Sequence, residues 1–152
     1  MKRSFLLILP IAAVFSSTVA LADDTYVVSL SDRLLPGESI APGQSIFSAN
    51  GYNELAMQTD GNLVMYCHRS GSPAATWATT STWGHNVNGA FAQPDGNFVV
   101  YNSDWTPLWA TSSSSYGAFL KVQDDGNLVV YSYGSDGTWG ALWSSNTAGR
   151  CY

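Results

Sequence analysis

Charge is scarce in this chain. Only 11% of its 152 residues are Asp, Glu, Lys or Arg, and histidine occurs twice, at His68 and His85. Neither histidine falls in a recurring position, and no Ser-His-Asp, Cys-His or metal-spaced cluster is present, so the usual hydrolase and metalloenzyme signatures are missing. Basic residues number 6 against 11 acidic ones. That balance repels nucleic acid and anionic lipid, so neither is expected as a partner. Long amphipathic helical patterns are lacking as well. The one extended apolar stretch, Phe5 to Phe15, is interrupted by Pro10. It is shorter than the ~20 residues that a membrane helix needs, so membrane insertion is not expected.

What stands at the N-terminus reads as an export signal. Lys2 and Arg3 precede the apolar stretch, and Ala20-Leu21-Ala22 is a small-x-small cleavage triplet. A signal peptide over 1–22 is therefore expected, with the mature chain, 23–152, forming one domain. The leader has a bacterial rather than a plant character, which implies a secreted or periplasmic product. In such a compartment the only two cysteines, Cys67 and Cys151, favour a disulfide over free thiols.

Aromatic residues, glycine and small polar residues are plentiful, the balance of a turn-rich β protein. A phrase recurs three times: Gln58-Thr59-Asp60-Gly61-Asn62-Leu63-Val64-Met65-Tyr66, then Gln93 to Tyr101, then Gln123 to Tyr131. Each copy is followed by a strand-like tryptophan segment around Trp77, Trp109 or Trp143. The Asp-Gly step signals a hairpin turn, and the period-2 alternation after it places Asn62, Val64 and Tyr66 on one face with Leu63 and Met65 on the other. Each unit is then three short strands whose apolar face must be covered by its counterparts about a pseudo-three-fold axis, with the three tryptophans at the centre. Ahead of the repeats, Leu34 to Ala49 reads as strand, Pro-Gly turn and strand. It is expected to complete the sheet whose partner strand arrives last. Cys151, just beyond the last strand, would then be pinned to Cys67 of the first unit.

A turn needs only Asp-Gly, yet Gln, Asn, Val and Tyr hold the same offsets in all three copies. Folding alone does not ask for that. The set offers amide donors and acceptors, a carboxylate, a phenol and a methyl-bearing patch, which suits the hydroxyls and C–H face of a sugar.

The phrase Gln-x-Asp-x-Asn-x-Val-x-Tyr resembles the sugar-binding signature of the monocot mannose-binding, bulb-type lectins, and the resemblance runs from about Leu34 to Thr147. It implies an all-β fold, a β-prism of three four-stranded antiparallel sheets with pseudo-three-fold symmetry, with no metal or other cofactor. It also implies mannose-type glycans or polysaccharide as partners. By the same resemblance Asp60 and Asn62 would bind the axial 2-hydroxyl, Gln58 the 3-hydroxyl and Tyr66 the 4-hydroxyl, with Val64 against the ring carbons. Those roles pass to Gln93, Asp95, Asn97, Val99 and Tyr101, and again to Gln123, Asp125, Asn127, Val129 and Tyr131. The chain departs from the plant pattern in its cysteine positions, and a C-terminus tied to Cys67 bears on the homodimer that strand exchange would otherwise give.

Other uses of these residues carry less weight. The three repeat aspartates fall on different sheets, too far apart for a glycosidase pair. One carboxylate per copy is too few for a calcium loop. Within the same fold, a lectin-type bacteriocin and a protein-recognition member are the alternatives. Trp83, Trp105 and Trp139 lie outside the central tryptophan position, where they either widen the sugar sites or cap the sheets. The segments 67–76 and 132–141 are expected to be variable loops.

Overall fold

The computed structural model describes residues 28–29 and 31–151, and it is all-β among them. The expected signal peptide and the start of the mature chain lie outside these residues. Thirteen strands follow in order: β1 Val28–Ser29, β2 Arg33–Leu34, β3 Ser39–Ile40, β4 Gln44–Phe47, β5 Asn53–Met57, β6 Leu63–Cys67, β7 Ala74–Ala78, β8 Val87–Ala92, β9 Phe98–Asn102, β10 Pro107–Ala110, β11 Phe119–Val122, β12 Leu128–Tyr133 and β13 Trp139–Ser144. They form three antiparallel four-stranded sheets, β4-β5-β6-β7, β3-β8-β9-β10 and β2-β11-β12-β13. The first sheet is lengthened at its edge by β1, which pairs parallel to β4.

One expectation needs correction. The segment 34–49 does not complete a single sheet. It wraps the molecule and gives an edge strand to each: β2 to the third sheet, β3 to the second and β4 to the first. The reason is geometric, since the three repeat units each lack a fourth strand, and a chain running around the prism can supply all of them in passing. The segments expected as loops are also shorter than 67–76 and 132–141, because β7 begins at Ala74 and β13 at Trp139.

Period-2 alternation sends Leu55, Met57, Leu63 and Met65 of the first sheet inward, all at 0% exposure. Ala90, Ala92, Phe98 and Val100 fill the same register in the second sheet, and Leu120, Val122, Leu128 and Val130 in the third. Phe98 stands opposite Ala92, a large residue against a small one, where the other sheets pair Leu63 with Met57 and Leu128 with Val122. At the axis Trp77, Trp109 and Trp143 close a triangle of edge-to-face pairs, with centroids 5.4, 5.6 and 5.7 Å apart. Each ring presents its positive edge to a neighbour's negative face, an arrangement worth about 0.5–1.5 kcal/mol per pair beyond burial.

Cys67 and Cys151 are bonded, their Cα atoms 5.3 Å apart across a sequence separation of 84. Closing such a loop stabilises the fold by about 4–5 kcal/mol in the chain-entropy picture. The bond brings the chain's last described residues against the first sheet. There Asn53 donates from Nδ2 to the carbonyls of Gln123 and Asp124, each at 3.2 Å, which joins the first sheet to the turn of the third repeat.

Candidate functional site

Each repeat turns through three residues, with the Gln58 N–H donating to the Asn62 carbonyl at 2.9 Å and the Gly61 N–H to the Gln58 carbonyl at 3.1 Å. Gly61, at φ +90°, occupies the left-handed position of a three-residue hairpin turn with a bulge, not a two-residue one. A side chain there would also strike the backbone carbonyls of Thr82 and His85. The segment after each third strand leans on the turn in this way, and the Asp60, Asp95 and Asp125 carbonyls accept from the N–H of Gly84, Ser115 and Gly149 at 2.7–2.9 Å.

The turn fixes the polar atoms. One carboxylate oxygen of Asp60, Asp95 and Asp125 accepts from the N–H of Asn62, Asn97 and Asn127 at 3.0, 3.0 and 2.9 Å. The side-chain carbonyls of those asparagines accept in turn from Thr79 Oγ1 at 3.0 Å, Thr111 Oγ1 at 3.1 Å and Ser145 Oγ at 3.1 Å. Each asparagine's amide NH2 and each aspartate's second oxygen are thereby left facing outward. Further along, Nε2 of Gln58, Gln93 and Gln123 donates to the phenol of Tyr66, Tyr101 and Tyr131 at 2.7, 2.9 and 2.8 Å. Because each phenol accepts, its own proton is free to donate outward, beside the glutamine's carbonyl oxygen.

A site so built offers two donor-acceptor pairs: carboxylate oxygen with amide NH2, and amide oxygen with phenol O–H. A hydroxyl group both donates and accepts, so the first pair matches one hydroxyl and the second suits neighbouring hydroxyls. In every copy the aspartate is exposed, the glutamine, asparagine and tyrosine are half-buried and the valine is buried. Val64, Val99 and Val129, at 3%, 2% and 2% exposure, form the floor of the site and present little surface of their own.

All fifteen residues singled out in the sequence therefore fall into three equivalent clusters, one on the outer face of each sheet. The hydroxyl residues Thr79, Thr111 and Ser145, which aim the asparagines, were not singled out. Their signal was present: a hydroxyl stands two residues after each central tryptophan.

The surroundings differ between copies. A groove of about 600 Å³ flanks the first site, lined by Gln58, Tyr66, Ala56 and Glu54. Glu54 is buried, bonded to Ser45 Oγ and His68 Nε2 at 2.6 Å each. The second, about 360 Å³, is walled by Phe91, Tyr101 and Trp105. The third, about 530 Å³, is lined by Gln123, Tyr131, Phe119, Trp139, Arg33 and Lys121. Trp105 packs on Phe91 and Tyr101 with centroids at 5.4 and 5.9 Å, and Trp139 on Phe119 at 5.3 Å. Trp83 stands beside Asp60 and Asn62, 68% exposed. The three outlying tryptophans thus border the three clusters.

Three sheets about one axis, each carrying the same hydroxyl-matching cluster, define a β-prism lectin architecture. No family model matches the chain, but individual proteins do. Its structure is similar to that of a lectin from Marasmius oreades, with a TM-score of 0.70, 31% identity, and coverage of 82% of this chain and 98% of that one. A monomeric monocot mannose-binding lectin from Gastrodia elata gives a TM-score of 0.63 and 34% identity over 78% of this chain and 99% of that one. In sequence, a mannose-specific lectin from Dendrobium findlayanum is 33% identical over 115 residues, 74% of this chain and 46% of that protein. The chain spans about half the length of the curated relatives it matches. It belongs to the monocot mannose-binding, bulb-type lectin family.

Proposed function

We propose that this protein is a non-enzymatic lectin that binds mannose-type residues of glycans or polysaccharide at three shallow sites, without a metal. The observation that carries this reading is the threefold repetition of one hydrogen-bonding arrangement that leaves the same four polar groups outward in each copy. Asp60 and Asn62 bracket one hydroxyl, the axial 2-hydroxyl of mannose. Gln58 and Tyr66 serve the 3- and 4-hydroxyls. Asp95, Asn97, Gln93 and Tyr101, and Asp125, Asn127, Gln123 and Tyr131, do the same, each set over its valine floor. An epimer with an equatorial 2-hydroxyl leaves the Asp-Asn pair unmatched, at about 1–3 kcal/mol.

About four hydrogen bonds per site, each worth roughly 0.5–1.5 kcal/mol net and offset by lost sugar freedom, give affinity on the order of millimolar for one residue. Useful avidity then comes from several sites engaging one branched glycan. The export signal expected over 1–22 and the disulfide suit work outside the cell that makes it, with bacterial secretion or a periplasmic location as the reading of that leader.

Titration with methyl α-mannoside, methyl α-glucoside and a branched mannan, with and without a chelator, tests this. Expected is mannose-selective, chelator-insensitive binding that a Tyr66→Phe, Tyr101→Phe, Tyr131→Phe variant loses. A folded protein that binds none of these sugars would overturn the proposal.

A further inference from the structure

The three sites share one recognition cluster but not one charge. In the first sheet, the outer-face neighbours of Val64 and of its strand partner are Ala56 and Ser45. The register-equivalent pair in the second sheet is Phe91 and Ser39, and in the third it is Lys121 and Arg33. The described residues hold four Lys or Arg side chains, Arg33, Arg69, Lys121 and Arg150, so half of the cationic groups stand on this one groove. The first groove is lined by no Lys or Arg, and Glu54, held by Ser45 and His68, stands cross-strand from Tyr66 where the third has Phe119 from Tyr131.

Both cations are held in place. Asp32 takes Arg33 Nε at 2.7 Å on one oxygen and Lys121 Nζ at 3.0 Å on the other. Arg33 also lies over the Phe119 ring, 5.7 Å from its centroid. Burial pushes the Asp32 carboxyl up, but the bonds from Arg33 and Lys121 outweigh it and hold the group below the ordinary carboxylate range, so it is ionised. One carboxylate against two cations leaves this trio at +1, which offsets the Asp125 carboxylate of the same site where Asp60 of the first has no such counterpart, and Lys121 and Arg33 keep side-chain exposures of 31% and 43%. Lys121 of β11 and Gln123, one residue beyond that strand, line the same groove with Tyr131, so a sugar seated on Gln123 and Tyr131 lies beside the ammonium.

We infer that the third site is specialised for anionic glycans, taking a mannose-type residue that bears, or is linked to, a carboxylate or phosphate group placed against Lys121 and Arg33. This rests on the lectin reading above and assigns a ligand class to one of its three sites. The first site, with no Lys or Arg on its groove, lacks this preference.

The three outlying tryptophans provide a site-resolved test in the intact protein, since Trp83, Trp105 and Trp139 border the first, second and third sites. Their indole N–H resonances are followed in a 15N-labelled sample titrated with methyl α-mannoside, methyl α-mannuronoside and mannose 6-phosphate. At low salt, Trp139 is expected to report anionic sugar binding roughly three- to fivefold tighter than neutral, as one partly screened ion pair provides. Trp83 and Trp105 are expected to show no such preference. Added salt shrinks the ratio. Lys121→Ala, which installs the residue found at 56, takes the ratio toward unity, whereas Asp32→Asn raises it by uncovering the second cation. A preference confined to the phosphate arm, or shared with the carboxylate arm, supports the inference and names the source of the charge. Equal affinities at Trp139, or a ratio unchanged in both variants, overturns it while mannoside binding leaves the lectin reading intact. Absence of binding by all three sugars overturns both.

Discussion

Replacing Trp109 by alanine should cost the fold about 3–5 kcal/mol. The ring makes edge-to-face contacts with Trp77 at 5.4 Å, Trp143 at 5.6 Å and Phe98 at 6.4 Å. Two of these pairs belong to the axial triangle, and at about 0.5–1.5 kcal/mol each they account for roughly 1–3 kcal/mol before any burial is counted. Lost transfer free energy and the cavity left between three rigid sheets bring the total into the range seen for aromatic truncation in cores. For a domain of this size the loss corresponds to a fall in Tm of roughly 10–20 °C, since each kcal/mol shifts the midpoint by a few degrees. Thermal and denaturant unfolding followed by tryptophan fluorescence would measure it, with Trp83→Ala, a residue 68% exposed, as the control expected to move stability by less than about 0.5 kcal/mol. A loss under about 1 kcal/mol for Trp109→Ala would refute the view that the triangle ties the sheets together.

Three further outcomes follow from other parts of the structure. Gly96→Ala, at φ +91° and with the Ser115 backbone against the new Cβ, should destabilise by about 2–3 kcal/mol in denaturant melts, whereas Gly71→Ala, at φ +79° in open space, should cost about 1 kcal/mol. Equal effects would contradict the close approach at the second turn. The Cys67→Ser, Cys151→Ser variant should lose about 4–5 kcal/mol, with thermal unfolding as the readout and a loss below about 1 kcal/mol as the contrary result. Trp105 sits at φ +67° in a turn whose counterpart in the third sheet places Gly137, and the same pair of backbone bonds closes both turns. Trp105→Gly should therefore change stability by no more than about 1 kcal/mol, as relieved strain offsets lost stacking, yet weaken sugar binding at the second site severalfold; unchanged binding there would remove Trp105 from the site.

Much of this was legible because it is written in repeated form. Three copies of Gln-x-Asp-Gly-Asn-x-Val-x-Tyr specify three hairpins, and the inward positions around them, Leu63 and Met65 or Leu128 and Val130, follow from a period of two. The tryptophan triangle follows from the same symmetry, and the pairing of Cys67 with Cys151 from their being the only two cysteines in a chain read as exported. What could not be read is what lacks a period. Strands of two residues, such as Arg33–Leu34 and Ser39–Ile40, carry no alternation, so the path of the N-terminal segment around all three sheets was hidden. The hydroxyls of Thr79, Thr111 and Ser145 were visible as letters but not as partners of the asparagines, because their bonds span 14 to 18 residues. Asp32, Arg33 and Lys121 meet only because β2 pairs with β11, a register no local pattern reveals.

The central proposal is that three equivalent clusters each receive one sugar hydroxyl between Asp and Asn and its neighbouring hydroxyls at Gln and Tyr. A crystal of residues 23–152 soaked in methyl α-mannoside tests it most directly. The expected result is a sugar across each cluster, with one hydroxyl between Asp60 and Asn62 and others at Gln58 and Tyr66, and the same at Asp95 and Asp125. Sugar density away from these residues, or none at concentrations well above millimolar with the sites open to solvent, would contradict the account.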